Sequence, residues 1–198
     1  MNYKAIGESF YHKPIEINDS NIRIGIISDT HVPHRCNNEN IPEYVINELK
    51  KVDLIIHCGD LTTPEIIKTL NDIKKPKYKL IIVKGNMDRH DILLSKVNLP
   101  KEYIFVVNGL KIGVIHGDMI EPRGDKLKMK YMALEKDLDV LISGHTHIPM
   151  IESVEGLNKT IMLLNPGSFT CPRIPLKTFM ILDFKNNELN KIELKEVM

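Results

Sequence analysis

Ile22-Arg-Ile-Gly-Ile-Ile-Ser-Asp-Thr-His31 decides how the rest of the chain is read. Four of its first six residues are isoleucine, and a β-branched run of this kind reads as a buried strand. The apolar run stops at Ser28-Asp29, where a long polar loop reaching to Asn40 begins. Downstream, Asn40 is placed to cap a helix with Pro42 in its first turn, and Val45, Ile46 and Leu49 give that helix one apolar stripe. A short strand over 52–57 ends in Gly59-Asp60. Thr63-Pro64 opens a second helix with Ile66, Ile67, Leu70 and Ile73 at helical spacing, and a strand over 80–83 ends in Gly85-Asn86. Strand, helix, strand, helix, strand implies a parallel sheet. Upstream, residues 1–20 read as an N-terminal arm, interrupted by Pro14 and closed by the turn chemistry of Asn18-Asp19-Ser20.

The second half begins with a hairpin, because apolar runs over 103–107 and 111–115 flank Asn108-Gly109. A helix capped by Asp125, carrying Leu127, Tyr131, Leu134 and Leu138 on one face, precedes a strand over 140–143. Further strands are expected at 150–154, 160–164, 178–183 and 191–195, in a mixed, largely antiparallel arrangement. No repeat or linker separates the halves, so residues 21–198 are expected to form a single domain. Two mixed sheets packed face to face, with helices on their outer faces, would bury all these runs in one α/β core.

Composition removes several classes of function. At 198 residues, 42% apolar and 27% charged, the chain is an average globular sequence able to build its own core. Its 27 basic and 26 acidic residues leave a net charge of +1, and so no compositional case for a nucleic-acid or anionic-membrane partner. Lys74/Lys75/Lys77 and Lys126/Lys128/Lys130 read as solvated faces, which makes RNA binding the weakest reading. The longest apolar run, 103–107, is far short of the ~18 residues a membrane span needs, and the first twenty residues lack a signal-like apolar core. Cys36, Cys58 and Cys171 lie far apart with no CxxC pair and read as reduced thiols, so a cytoplasmic location is expected.

Chemistry collects at the strand ends. Asp29-Thr-His31, Gly59-Asp60, Gly85-Asn86, His116-Gly117 and Gly144-His-Thr-His147 each follow an apolar strand. Ligands of such sheets bind beyond the carboxyl ends of the strands, so these clusters should meet in one crevice. Asp29 with His31, and His145 with His147, are two apart, which in extended backbone points both side chains the same way. Imidazole with carboxylate suits divalent Mn, Fe, Co, Ni or Zn, and two such ions about 3.5 to 4 Å apart can clamp the attacking and leaving oxygens of an in-line displacement. Asp60 is the natural bridge, with one oxygen facing each ion. Taken singly, Asp29-x-His31, Gly59-Asp60 and Gly85-Asn86 are ordinary turn chemistry, whereas the two imidazoles of Gly144-His-Thr-His147 are a less common accident. Five in order, at five strand ends, would be a costly burial of polar groups without a metal.

Asp29-x-His31, Gly59-Asp60, Gly85-Asn86-x-Asp88, His116-Gly117 and Gly144-His145-x-His147 together resemble the signature of calcineurin-like metallophosphoesterases. Asn165-Pro166-Gly167-Ser168 is similar to the compact phosphodiesterases of bacteria and archaea, and the stretches 31–37 and 111–117 are similar to the phosphoesterase-like subunit of the retromer coat. The resemblance implies a four-layer α/β/β/α sandwich with a two-metal site between the sheets. It assigns Asp29, His31 and His147 to one metal, Asn86, His116 and His145 to the other, and Asp60 to both. It implies a metal-activated hydroxide, from a bound water with pKa lowered towards ~7, attacking phosphorus in line, with manganese the expected metal. The expected activity is phosphoester hydrolysis, most naturally of a diester, on a small phosphoester or nucleotide-type substrate.

One position departs from the family pattern. Many members carry His directly after the Asn, where it helps protonate the leaving group, and here that residue is Met87. Protonation then falls to a substitute such as His34 or His90, or to water, and esters with good leaving groups should be favoured. Arg35, Arg123 and Arg173 lie near the motif loops and read as surface charges or as partners of a substrate phosphate. Ser28 reads as a plain hydrogen-bonded serine or as a group that orients a ligand. The competing reading is a non-catalytic scaffold of the same fold that binds a protein partner, against which stand seven competent ligand types at seven positions. Exposed strands near the C-terminus could also pair across a homo-oligomer.

Overall fold

The computed structural model describes residues 15–33, 35, 40–73, 78, 80–88 and 98–197. In chain order these form β1 (Ile15–Ile17), β2 (Asn21–Ile27), α1 (Glu43–Leu49), β3 (Leu54–His57), α2 (Pro64–Ile73), β4 (Ile81–Ile82), β5 (Glu102–Val107), β6 (Leu110–Ile115), α3 (Lys126–Glu135), β7 (Val140–Ile142), β8 (Pro149–Glu155), β9 (Thr160–Pro166), β10 (Thr178–Lys185) and β11 (Glu188–Glu196). One sheet has the order β1-β5-β6-β7-β9-β8 and the other β11-β10-β2-β3-β4. Both are mixed: β2, β3 and β4 run parallel, as do β6, β7 and β9, while β5, β8, β10 and β11 pair antiparallel with a neighbour.

The period of two along each strand sorts side chains between layers. Ile22, Ile24, Ile26, Leu54 and Ile56 from one sheet meet Phe105, Val107, Ile112, Val114, Val140 and Ile142 from the other, forming the central core. Ile27, Ile55, Phe179 and Ile181 point the opposite way, against Val45 and Leu49 of α1 and Ile66, Ile67 and Leu70 of α2. Ile115, Leu141, Ile161 and Leu163 pack on Met129 and Ala133 of α3. The result is the expected four-layer arrangement, in which truncating a central isoleucine such as Ile26 to Ala would cost about 2 to 5 kcal/mol. Asn108 (φ 49°) and Gly109 (φ 85°) make the β5–β6 turn with two left-handed residues, the geometry that an Asn-Gly hairpin requires.

Several local expectations are corrected. The last part of the stretch read as an arm supplies β1, which lies parallel to β5 with Ile17 opposite Val107. Pro42, not Asn40, is the N-cap of α1, and no side chain caps that helix. Asp125 does cap α3, accepting a hydrogen bond from the Lys128 N–H, yet the buried face of α3 is Met129 and Ala133. Leu127 and Tyr131 are 58% and 61% exposed, because apolar residues are spread around this helix and no stripe marks the inward side. Cys171 is disulfide-bonded, whereas Cys58 is a buried free thiol; sequence spacing carries no information on which cysteines the fold brings close. No helix among the described residues is long and apolar enough to cross a membrane.

Candidate metal centre

Parallel strands place their carboxyl ends side by side, and this brings the motif residues together. Asp29 and His31 follow β2, Asp60 follows β3, Asn86 follows β4, His116 follows β6, and His145 and His147 follow β7. Donor atoms of Asp29, His31 and His147 lie within 4.8 Å of one another, and so do those of Asp29, Asp60 and His116. On the first side, the Nε2 atoms of His31 and His147 are 3.3 Å apart, and Asp29 Oδ1 is 3.3 Å from His147 Nε2. On the second, His116 Nε2 is 3.1 Å from Asn86 Oδ1 and 3.2 Å from His145 Nδ1. Asp60 joins the two, its Oδ2 lying 3.5 Å from His31 Nε2 and 3.4 Å from His116 Nε2.

Two geometric expectations need revision. Ligand pairs two residues apart do not project from extended backbone: φ is 53° at Asp29, 48° at His31, 64° at His145 and 60° at His147, with Asp60 at 58°. A left-handed conformation at a non-glycine residue costs of order 1 kcal/mol, and five together are strain concentrated at one place. Nor does Asp60 offer both oxygens. Its Oδ1 accepts the Met87 N–H at 2.8 Å, which leaves Oδ2 alone between the two imidazole groups. His34 and His90 lie outside the described residues.

The surroundings hold each ligand in one orientation. Ser28 Oγ (2.6 Å) and the His145 N–H (2.9 Å) donate to Asp29 Oδ2, leaving Oδ1 buried with no hydrogen-bond partner. His116 Nδ1 donates to the Cys58 carbonyl at 2.8 Å, and His147 Nδ1 donates to the Cys171 carbonyl, so in both rings Nε2 faces the crevice. Asp88 accepts the backbone N–H groups of Asp60 (2.8 Å), Gly85 (2.8 Å) and Thr62 (2.9 Å), fixing the bridging turn. Asn165 Nδ2 donates to the Gly144 carbonyl at 2.7 Å, tying β9 to the loop that carries His145 and His147. Gly85 and Gly144 are required by close approach: a Cβ would stand 2.1 Å from Asp60 Oδ1 at the first and 2.0 Å from Ser28 Oγ at the second.

His57 is a residue that its sequence context does not announce, since it ends a buried strand like any other member. Its Nδ1 accepts the Gly59 N–H at 3.1 Å, so its Nε2 carries the proton toward Thr30 Oγ1 at 3.3 Å. It therefore links the loop of Asp29 and His31 to the turn of Asp60. Asp88 and Asn165 did stand in quoted motifs, but nothing local shows that their partners lie across the fold.

Charge in the crevice is finely divided. Burial drives the His31 pKa down to about 4, against the pull of Asp60, and burial with the His116 charge takes His145 to about 4. Burial also acts to lower His116, but the Asp60 hydrogen bond and the Asp29 and Asp60 charges outweigh it and lift His116 to about 9. Asp29 is raised by burial. A dry site with imidazole lone pairs, two carboxylates and an orphaned Asp29 Oδ1 has the donor set that a divalent cation completes.

Comparison with known proteins identifies the family. The profile of the calcineurin-like phosphoesterase superfamily domain matches residues 22–187. The chain is 48% identical over 163 residues to a probable metallophosphoesterase of Methanocaldococcus jannaschii, covering 82% of this chain and 76% of that one. Among solved structures, Vps29 of Entamoeba histolytica in complex with zinc is 26% identical with a TM-score of 0.68, over 89% of this chain and 98% of its own. An archaeal phosphodiesterase is 25% identical with a TM-score of 0.66, over 89% and 100%.

Proposed function

The chain belongs to the calcineurin-like phosphoesterase superfamily, and on that premise we propose that it is a phosphodiesterase working with two divalent ions on small phosphoesters or nucleotide-type substrates. The observation that carries this reading is the position of Asp60 Oδ2, within 3.5 Å of a nitrogen from each histidine group. Asp29, His31 and His147 would hold one ion, Asn86, His116 and His145 the other, and Asp60 both. When bound, the ions would supply a nucleophilic water of lowered pKa and neutralise charge on the phosphoryl oxygens. Manganese is the expected occupant, and the same donors accept Ni, Fe, Co or Zn.

The chain's own groups prepare that chemistry. The Cys58 and Cys171 carbonyls fix the tautomers of His116 and His147, and Asp88 holds the Asp60 turn, so the ligand array needs little rearrangement during a reaction. Met87, 49% exposed beside Asn86, has no proton to give a leaving group, which favours esters whose alcohol leaves as a stable anion. Hydrolysis of bis-p-nitrophenyl phosphate with added manganese tests the proposal. Turnover that disappears in Asp60→Ala is expected, and a rate no higher than that of the variant overturns it.

The likeness to Vps29 and the exposed Met87 and Met119 beside the ligand loops favour a second reading, a scaffold that binds a protein partner. The complete ligand set argues for the enzyme, because a scaffold has no physical need to keep strained loops around orphaned polar atoms. The same assay separates the two.

A further inference from the structure

Beside the metal centre, where the start of β8 approaches the amino end of α3, lies a cavity of about 480 Å³. That is within the range of roughly 300–1,000 Å³ typical of small-molecule pockets. Its lining combines two guanidinium groups, Arg123 and Arg173, with the apolar side chains of Ile148 and Met150. It is contiguous with the ligand loops, since Thr146 and Ile148 flank His147 and the Arg173 N–H donates to the His147 carbonyl at 3.3 Å.

Charge distinguishes this cavity from an ordinary surface cleft. Lys126 and Glu152, which also line it, pair with each other and cancel. Neither Arg123 nor Arg173 makes a salt bridge among the described residues, and the acid that Arg173 feels is the buried Asp29. Burial and the nearby positive charges of Arg123 and Arg35 lower the Arg173 pKa, against the opposing pull of Asp29. Two such groups repel unless an anion lies between them, and their planar forks match the oxygens of a phosphate.

We propose that this cavity receives the organic arm of the substrate and that Arg123 and Arg173 grip a second phosphate on that arm, so that preferred substrates are nucleotide-type esters carrying a further phosphate. This deepens, and rests on, the phosphoesterase reading. The apolar side chains of Ile148 and Met150 take the base or sugar face, while the reacting phosphorus lies at the neighbouring ligand array.

Calorimetric titration of the protein without added metal tests the subsite apart from catalysis, with adenosine bisphosphate, phosphorylated on two sugar hydroxyls, compared with adenosine monophosphate. The bisphosphate is expected to bind about tenfold more tightly, and Arg123→Gln with Arg173→Gln to abolish the preference. Both arginines are exposed, so these changes leave the core untouched. Equal affinity for the two nucleotides, or a preference that survives in the double variant, overturns the proposal. Turnover of bis-p-nitrophenyl phosphate reports separately on the phosphoesterase reading, so the failure of either is seen independently of the other.

Discussion

Nε2 of His31 and Nε2 of His147 face each other at 3.3 Å, with the two rings stacked at 18° between planes. The Cys171 carbonyl takes the Nδ1 proton of His147, so the facing nitrogen of that ring is a lone pair. Burial keeps His31 neutral at physiological pH, and its own Nδ1 has no partner. With the His31 proton on Nδ1, two lone pairs face each other in dry surroundings, and a cation with Asp29 Oδ1 as third donor would bind both.

Metal uptake should displace a proton. His116 titrates at about 9 in the metal-free protein and must be neutral to bind an ion. Apparent affinity for manganese is therefore expected to rise with pH up to that value, by at most about tenfold per unit, and loading near neutrality should release close to one proton. Calorimetry in two buffers of different ionisation enthalpy measures this. Heats that do not depend on the buffer would count against it.

Acid should weaken the fold through His57. Burial holds its pKa down at about 3, below the ordinary 6.5, so the unfolded chain binds the proton first. The stability this contributes is present above about 6.5 and is lost as pH falls from there towards 3, with a slope of up to about 1.4 kcal/mol per unit. His57→Asn retains an acceptor for the Gly59 N–H and should flatten that slope in urea unfolding at neutral and mildly acidic pH. An unchanged slope would remove His57 from the account.

Gly85→Ala should disable the site more than the fold. A Cβ there meets the Asp60 carboxylate at 2.1 Å and its N–H at 2.3 Å, and a shift of the bridging ligand of that order costs about a hundredfold in turnover. The accompanying stability loss should be about 1 to 3 kcal/mol, visible as a lower Tm. Turnover close to wild type would show that Asp60 can move without consequence.

Met87→His should change leaving-group preference. A histidine at that exposed position could donate a proton, raising turnover of alkyl esters by about a hundredfold while barely altering nitrophenyl esters. The ratio of the two rates in each protein is the readout, and an unaltered ratio would place leaving-group protonation elsewhere.

Sequence made the convergence of the candidate ligand residues legible for a physical reason. Isoleucine-rich strands that end abruptly in Asp, His, Asn and Gly leave few places for those groups except a shared crevice, and the structure brings Asp29, His31, Asp60, Asn86, His116, His145 and His147 within reach of one another. What could not be read depends on distant partners. Asp88 serves an N–H group 28 residues away, and Asn165 a carbonyl 21 residues away. The inward face of α3 was misread because its apolar residues encircle it, and the left-handed ligands because local spacing is blind to φ. The disulfide at Cys171 and the pairing of β1 with β5 likewise follow from chain proximity alone.

The most direct measurement is manganese binding by the metal-free protein, followed by calorimetry and elemental analysis, for wild type, His147→Ala and Asp60→Ala. Two ions per chain are expected for wild type, one for His147→Ala, and weak or no binding at both positions for Asp60→Ala. No uptake by wild type, or uptake indifferent to Asp60, would contradict the claim that these seven side chains form one two-ion site.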